Sequence, residues 1–228
     1  DNDIFEGLLL GILSSNTDWR TIRKIKDELK DKFNNFNLDS YSKKSEVYIT
    51  NSIVPWFKSK KAGSLTLNRN LRYLIDTSKK LAKYSNKYGS ADQYFTKALA
   101  EANNDAIELA ILLGTSTEWK LKGFGVPLAA EALRNIGYNL SKPDRHILRA
   151  VGSFKLVNFD RWVDKTGIKA PKPSISNLRK AMIAVDKLAK EINEETTFVD
   201  SVIWTACAKG GVRLTNEELA EIGNRSKI

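Results

Sequence analysis

The stretch LKGFGVPLAAEALRNIGYNLSKPDRHILRAV, which spans Leu121–Val151, decides how the chain is interpreted. Two of its glycines, Gly123 and Gly125, are typical of a tight turn in which the backbone takes a positive φ or approaches another molecule closely. Pro127 suits the first turn of a following helix. The pattern therefore predicts a helix, a glycine turn and a second helix.

The second helix of this stretch has an apolar face and a glycine at its end. We expect it to begin at Pro127 and to be capped by Gly137, and we expect the preceding helix to end within Glu118–Leu121. The apolar face consists of Leu128, Ala129, Ala132, Leu133 and Ile136. The spacing of these residues is helical, which supports the prediction.

A glycine turn that leads into a helix can bind a phosphate without using a side chain. The free N–H groups at the start of the helix point outward, and the helix dipole favours an anion there. Such a site would hold DNA without reading its sequence. The alternative is an ordinary hairpin of two helices, in which the glycines only turn the chain. The two glycines alone favour this alternative.

The charge of the chain indicates a polyanionic partner. The formal net charge is +10 and the isoelectric point is about 9.5, which is most often associated with nucleic acid binding. A lysine-rich surface that only confers solubility is the alternative. The basic residues cluster at Lys58, Lys60 and Lys61, at Arg69 and Arg72, and at Lys79, Lys80 and Lys83.

The composition excludes several classes of protein. With Cys207 as its one cysteine, the chain cannot build a disulfide framework, an iron–sulfur site or a zinc–cysteine site. The longest apolar run, Gly7–Leu13, is too short to cross a bilayer. The opening Asp-Asn-Asp does not resemble a signal peptide, so we expect a cytoplasmic, nucleoid-associated protein. The chain opens almost directly on a helical pattern, which leaves open a segment before it.

Elsewhere the sequence predicts helices and no strands, so the expected fold class is all-α. Residues 34–64 are polar and broken, and there we expect a loop with a short helix around Ile49–Phe57. The other predicted helices are Phe5–Ser14, Asp18–Phe33, Leu67–Tyr84, Ala91–Leu113, Ser174–Ile192, Thr197–Ala208 and Asn216–Ile222.

The motif LKGFG, followed by a helix and then by PDRHILRAV, resembles the helix-hairpin-helix DNA glycosylase superfamily, which includes endonuclease III and the oxidised-purine glycosylases. In that family the hairpin is followed by an Asp at a helix start, often as D-x-H-x-x-R. Asp144, His146 and Arg149 have this spacing. The matching helix-hairpin-helix segment spans residues 115–137, approximately.

Two further stretches carry the resemblance. FEGLLLGILSSNTDW is similar to the first barrel helix of the family, which ends in a Gln or Asn that fills the space left by an extruded base; Asn16 matches it. VDSVIWTAC is similar to a segment of archaeal oxidised-guanine glycosylases in which an acid and an aromatic ring contact the base. Asp200 and Trp204 match these two residues.

The resemblance implies an architecture and a partner. We expect a two-lobed helical bundle with a DNA cleft between the lobes: a helical barrel domain at residues 1–150, and a C-terminal lobe at residues 151–228 that packs with the N-terminus. The expected partner is double-stranded DNA that contains a damaged base, with a purine favoured. We expect a monomer with no membrane association and no cofactor, although a monovalent cation at the hairpin is compatible with the resemblance.

Cleavage of an N-glycosidic bond builds positive charge on the sugar, and one carboxylate beneath it can stabilise that charge and orient water. Asp144 is the predicted catalytic residue, since a helix start holds a carboxylate still and favours its ionised form. The alternative is an Asp that only caps the helix.

The residues predicted to handle the extruded base also have alternatives. Asn16 would fill the gap in the duplex, or it only ends a helix. Trp204 would stack on the base, or it packs in the core. Asp200 would accept hydrogen bonds from a purine edge, or it faces solvent or caps a helix.

Another group of residues is predicted to contact the DNA backbone. These are Lys122, Gly123, Phe124 and Gly125 in the hairpin, with Phe124 on the DNA-facing turn, and His146 as a phosphate-contacting or structural residue.

One departure from the family concerns strand cleavage. Members that also nick the backbone carry a nucleophilic Lys two residues after the second hairpin glycine. Pro127 occupies this position, so we expect a monofunctional enzyme. A lyase that uses another amine, a non-catalytic DNA-binding module and an all-α scaffold with incidental charge remain as alternatives.

Overall fold

The computed structural model describes residues 1–15, 17, 19–165, 167–208 and 211–225. Within these residues the protein is mostly helical, which confirms the all-α prediction. The helices are α1 (Asn2–Leu13), α2 (Trp19–Lys24), α3 (Lys26–Lys32), α4 (Leu38–Ser42), α5 (Glu46–Tyr48), α6 (Val54–Ser59), α7 (Leu67–Tyr88), α8 (Asp92–Glu101), α9 (Ala106–Thr115), α10 (Val126–Asn135), α11 (Arg145–Ser153), α12 (Ile175–Glu191), α13 (Thr196–Cys207) and α14 (Asn216–Arg225). A π-helical stretch, Ile49–Ile53, joins α5 and α6.

Two short strands, which the sequence did not predict, lie between α11 and α12. Strands β1 (Trp162–Lys165) and β2 (Ile168–Pro171) pair antiparallel, with Trp162 opposite Pro171. Each strand has four residues, so there is too little chain for an alternating pattern to be recognised.

The first helical group is arranged around α10. Helix α1 packs against α10 and α7, and α9 packs against α10 from another side. A glycine of α1 allows the close approach, since a Cβ added at Gly11 would lie 3.2 Å from the Cβ of Ala132. The N-terminal helix therefore supports the helix that follows the glycine turn.

The second helical group is arranged around α11, which packs against α12, α13, α14 and β2. The predicted boundary at residue 150 falls inside α11, whose packing partners here all follow it in the chain. Helix α12 joins the two groups because it also packs against α9 and α10. Arg179 on α12 and Glu108 on α9 form a bidentate ion pair across this contact, with N···O distances of 2.6 and 2.8 Å.

The hydrophobic core is continuous between the two groups, because buried side chains from Ile4 to Leu219 belong to one cluster. None of the described helices is long and apolar enough to cross a membrane.

Candidate functional site

The hairpin turn, which we define as residues 121–125, lies between α9 and α10. The preceding helix ends at Thr115, earlier than predicted, because Ser116 adopts an extended conformation with a ψ of 159°. Within the hairpin turn the N–H of Phe124 donates to the carbonyl of Leu121 at 3.0 Å. The predicted order of helix, glycine turn and helix is therefore present, with a longer connection before the turn.

Phe124 anchors the hairpin turn in the core. Its side chain is 1% exposed, so the prediction that Phe124 faces DNA is wrong. The physical reason is that burying an aromatic ring stabilises the folded protein more than leaving the ring exposed to water. Gly123 has a φ of 87°, and a Cβ added there would lie 2.8 Å from the Cβ of Tyr73. This position requires glycine both for its backbone and for its packing.

Gly125 is the residue that precedes the first turn of α10. Its φ of −89° and ψ of 172° are extended, so the positive φ that the glycine pair allows occurs at Gly123 and not at Gly125. A Cβ added there would meet Pro127 Cδ at 4.0 Å and nothing nearer among the described residues. Open space therefore lies beside Gly125 at the start of α10. Of the first turn, Pro127 has no N–H and the N–H of Leu128 donates to the Gly125 carbonyl at 3.0 Å, so the N–H of Val126 and the dipole of α10 are what this end offers an anion. This is where an anion would bind.

Lys122, the predicted phosphate ligand of the hairpin turn, is ion-paired within the protein. Its Nζ donates to a carboxylate oxygen of Asp76 on α7 and lies 5.2 Å from the ring centre of Tyr73. The hydrogen bond from Asp76 raises the pKa of Lys122. The side chain is exposed, so a phosphate can reach it in competition with Asp76.

The loop 137–144, which connects α10 and α11, is attached to α13 by a buried carboxylate. Oδ1 of Asp200 accepts hydrogen bonds from the Ser141 hydroxyl at 2.6 Å and from the Lys142 N–H at 2.9 Å. These bonds fix the backbone immediately before Asp144. The position of Asp144 therefore depends on α13 as well as on its own helix.

Arg134 on α10 completes this arrangement, since its Nη1 lies 2.6 Å from Oδ2 of Asp200. We call Asp200, Arg134, Ser141 and Lys142 the Asp200 cluster. Asp200 is 1% exposed, and its burial raises its pKa to about 6 despite the attraction of Arg134. Three protein donors contact the carboxylate, so a purine edge would have to displace one of them to be read by it.

Asp144 is the N-cap of α11. Its Oδ1 accepts hydrogen bonds from the backbone N–H groups of His146 at 2.8 Å and Ile147 at 3.2 Å. The capping role is thereby confirmed, and it is compatible with catalysis because it holds the carboxylate still. Burial is the largest cause of the raised pKa of Asp200, and the negative charge of Asp144 raises it further. The two carboxylates are therefore close enough to interact electrostatically.

His146 and Trp204 bring α11 and α13 together beside Asp144. The two ring centres are 6.2 Å apart, with an interplanar angle of 78°. His146 is 9% exposed and leaves little side chain for the predicted phosphate contact. Burial lowers the pKa of His146, although the charge of Asp144 opposes this effect. Trp204 is 36% exposed, which leaves part of its ring accessible for stacking.

Arg149, the last residue of the D-x-H-x-x-R pattern, has a structural position. Its buried guanidinium donates to the carbonyl of Cys207 at 3.0 Å and to Oδ1 of Asn216 at 3.3 Å. It therefore ties α11 to the end of α13 and to the start of α14.

Asn16, the predicted gap-filling residue, lies outside the described residues. Nζ of Lys142 donates to the hydroxyl of Ser14 at 3.1 Å, immediately after α1. The C-terminal end of α1 therefore lies beside the loop that precedes Asp144.

We also searched the described residues for metal sites and surface cavities that could coincide with the predicted site. Within the described part of the chain, no group of three or more His, Cys, Asp or Glu side chains could hold a metal ion. One surface cavity has a volume of about 550 Å³ and is lined by Asn2, Asp3, Glu6, Lys26, Asp27, Lys30, Asn35 and Phe36. A second, of about 330 Å³, is lined by Glu28, Asp31, Lys32 and Trp56. Neither cavity includes a residue of the predicted site.

Comparison with known proteins gives no family assignment. No family model matches the chain, and no match is found among curated proteins or solved structures. The function is therefore argued from the geometry of the site and from the resemblance of its motifs.

Several residues of the site were not predicted from the sequence. Ser141 and Lys142 could have been suspected because they directly precede Asp144. Arg134, Tyr73 and Asp76 carry no such signal, because their partners are distant in the chain and are brought close only by helix packing.

Proposed function

We propose that this protein is a DNA glycosylase that removes a damaged base from duplex DNA in the cytoplasm. The observation that carries the proposal is the placement of Asp144. Its carboxylate is fixed by the start of α11, its loop is held by the Asp200 cluster, and the glycine turn lies upstream in the chain. The resemblance to helix-hairpin-helix glycosylases supplies the reaction, and the geometry is consistent with it.

In the proposed complex the DNA backbone binds at the hairpin turn. The open space at Gly125 lies at the positive end of the α10 dipole, which suits a phosphate. Lys122 is exposed beside it and can contribute a second charge. The duplex would lie in a cleft between the two helical groups, bound by one copy of the protein.

The proposed reaction is hydrolysis at C1′ of the deoxyribose. The C1′–N bond breaks with its electron pair going to the base, which takes up a proton, while water adds to C1′. Asp144 stabilises the positive charge that develops on the sugar and accepts a proton from the attacking water. Since Pro127 occupies the position of the family nucleophile, the backbone remains intact.

The extruded base would stack on the accessible part of Trp204, and Asn16 would fill the gap that the base leaves. Asp200 lies one helical turn before Trp204 on α13 and already accepts hydrogen bonds from the loop 137–144. We therefore propose that its main role is to hold that loop. A purine is the favoured base by resemblance, and the lesion is to be identified by experiment.

The test uses labelled duplexes that each contain one lesion: a 3-methyladenine analogue, 8-oxoguanine, hypoxanthine, uracil or thymine glycol. Each reaction is divided, and one half is treated with hot alkali. We expect strand breaks only after alkali and, for Asp144→Asn, a rate lower by about 100-fold or more. Asn caps a helix as well as Asp does, so the variant should fold normally.

Asp105→Asn provides a matched control. Asp105 caps α9 through the N–H groups of Ile107 at 2.7 Å and Glu108 at 3.1 Å, which is nearly the same geometry away from the site. Its rate should equal that of the wild type. Breaks without alkali would show a lyase that uses another amine. Absence of base release from every duplex would favour a non-catalytic DNA-binding module.

A further inference from the structure

The outer face of helix α7 is rich in positive charge, and its one acidic residue, Asp76, is paired with Lys122. Its core side is formed by Leu67, Asn70, Leu71, Leu74, Ile75, Thr77, Ser78, Leu81 and Ala82, all of which are buried. Arg69, Arg72, Lys79, Lys80, Lys83 and Lys87 fall within an arc of roughly 100° on the opposite side. We call these six residues the α7 basic stripe.

The α7 basic stripe runs past the hairpin turn. The hydroxyl of Thr77 donates to the carbonyl of Lys122 at 3.2 Å, and Gly123 lies against Tyr73. Lys80 reaches the segment between α9 and the hairpin turn, where its Nζ donates to the carbonyls of Glu118 and Lys120. The stripe is therefore continuous with the place at which the proposed function puts a phosphate.

Part of the stripe is used within the protein and part faces solvent. Arg72 pairs with Glu46, and burial lowers the pKa of Lys80. Lys79, Lys83 and Lys87 are exposed and follow one another at intervals of four residues. Like charges at this spacing repel and destabilise a helix by about 0.2–0.5 kcal/mol per pair. A face that only confers solubility gains nothing from such repulsion.

Two other exposed helices each contain a pair of opposite charges at the same spacing. Lys190 pairs with Asp186 on α12, and Arg225 pairs with Glu221 on α14, each at the stabilising four-residue spacing. The repeated like charge on α7 is relieved if a polyanion lies along it. Arg69 and Lys87 are separated by eighteen residues, or roughly 27 Å of helix, which matches about eight base-pair steps of duplex DNA.

We propose that the α7 basic stripe is a second DNA-binding track, which holds phosphates of undamaged duplex beside the hairpin turn. The position of this track beside a damaged base rests on the proposed function, whereas the affinity of the track for duplex DNA does not. The track supplies affinity that is independent of sequence and lesion, and that keeps the protein on DNA while bases are inspected.

The experiment compares two triple variants with the same net charge. Lys79→Gln, Lys83→Gln and Lys87→Gln remove the exposed part of the stripe. Lys172→Gln, Lys180→Gln and Lys187→Gln remove three exposed lysines on and just before α12. Binding to an undamaged 20-base-pair duplex is measured by fluorescence anisotropy between 50 and 200 mM salt, after circular dichroism has shown that both variants are folded.

The expected result is a change in the slope of log K against log salt. Each lost phosphate contact reduces the slope by about 0.9, so the stripe variant should lose up to about 2.7 and bind roughly tenfold or more weakly at 100 mM salt. The α12 variant should keep the wild-type slope. Equal slopes for the two variants would overturn the proposal. Loss of binding to phosphatidylserine vesicles, with unchanged duplex binding, would assign the stripe to a membrane surface instead.

A base-release assay, combined with the salt slopes, distinguishes failure of the stripe proposal from failure of the glycosylase proposal. At saturating protein, the stripe variant should release the base at the wild-type rate, because Asp144 is unchanged. Base release by the wild type, together with equal slopes for the two variants, would remove the stripe proposal alone. A stripe variant with reduced slope, together with no base release by the wild type, would remove the glycosylase proposal alone.

Discussion

At the scale of single residues, Lys122 shows how a neighbour changes what a position can do. The sequence places it in a glycine turn, where a lysine would face a phosphate. The fold places Asp76 of α7 against its ammonium group. In the proposed complex, DNA must therefore compete with a carboxylate that lies 46 positions earlier in the chain.

Asp76→Asn should strengthen binding to undamaged duplex. The substitution frees Lys122 for one more phosphate contact, so the salt slope should steepen by up to about 0.9. Glu221→Gln on α14 is the matched control, since it also breaks an exposed ion pair and adds the same charge far from the hairpin. Anisotropy titrations at four salt concentrations measure both variants. A slope for Asp76→Asn equal to that of the control would show that Lys122 does not contact DNA.

The residue types of the candidate site were easier to predict than their contacts. Asp144 was correctly placed at a helix start, because a carboxylate before an apolar run is a local signal. Phe124 was wrongly placed on the surface, and the donors to Asp200 were not foreseen. Both depend on which helices pack together, and the local sequence does not encode this.

At the scale of elements, helices with a strong apolar period were predicted well, and breaks within them were not. The helix predicted over Ala91–Leu113 is two helices, separated where Asn103 and Asn104 take φ near 55° and 59° and Asp105 caps α9. The Asn-Asn-Asp sequence is a recognisable signal for such a break. The segment 34–64, predicted as a loop with a short helix around Ile49–Phe57, has helix at that place, as the π-helical stretch and α6. It also contains α4 and α5, whose apolar residues are too few for a period to be visible.

The contact between α9 and α10 fixes the start of α10, and Gly114→Ala tests it. A Cβ at Gly114 would lie 2.6 Å from the backbone nitrogen of Val126, which cannot move without displacing the helix start. Alanine would add roughly 1 kcal/mol of helix propensity. The clash, of about 1–3 kcal/mol, should outweigh this gain and lower the free energy of unfolding measured in urea.

Gly125→Ala, directly before α10, is the matched comparison. Its Cβ would enter open space, so the free energy of unfolding should fall by about 1 kcal/mol or less. Binding to duplex DNA should nevertheless weaken, because the methyl group would stand in the space where a phosphate is proposed to approach the start of α10. Stability for Gly114→Ala equal to that of the wild type would show that the two helices separate easily.

At the scale of the whole molecule, the two helical groups meet at the loop that carries Asp144. Asn139 accepts a hydrogen bond from the N–H of Thr197 at 2.9 Å, and Asp200 binds the same loop three residues later. Arg134 brings α10 into this contact. The proposed catalytic carboxylate is thus held by both groups, which the sequence could suggest only through the resemblance around Asp200.

The burial of Asp200 makes this junction sensitive to pH. Its pKa is about 6 in the folded protein and near 3.8 when the chain is unfolded. Between these values the folded state binds more protons than the unfolded state, so the free energy of unfolding falls as pH rises from about 4 to 6. The decrease expected from this one group is about 3 kcal/mol, and it persists above pH 6.

Urea unfolding of the wild type and Asp200→Asn, measured at intervals from pH 4 to 7.5, isolates the effect. Groups common to both proteins cancel in the difference, whereas Asn cannot titrate. The stability of the wild type relative to the variant should therefore decrease across this range and level off above pH 6. A relative stability that instead rises with pH would mean that Arg134, Ser141 and Lys142 outweigh burial and hold Asp200 ionised. In that case the junction would be strongest at neutral pH.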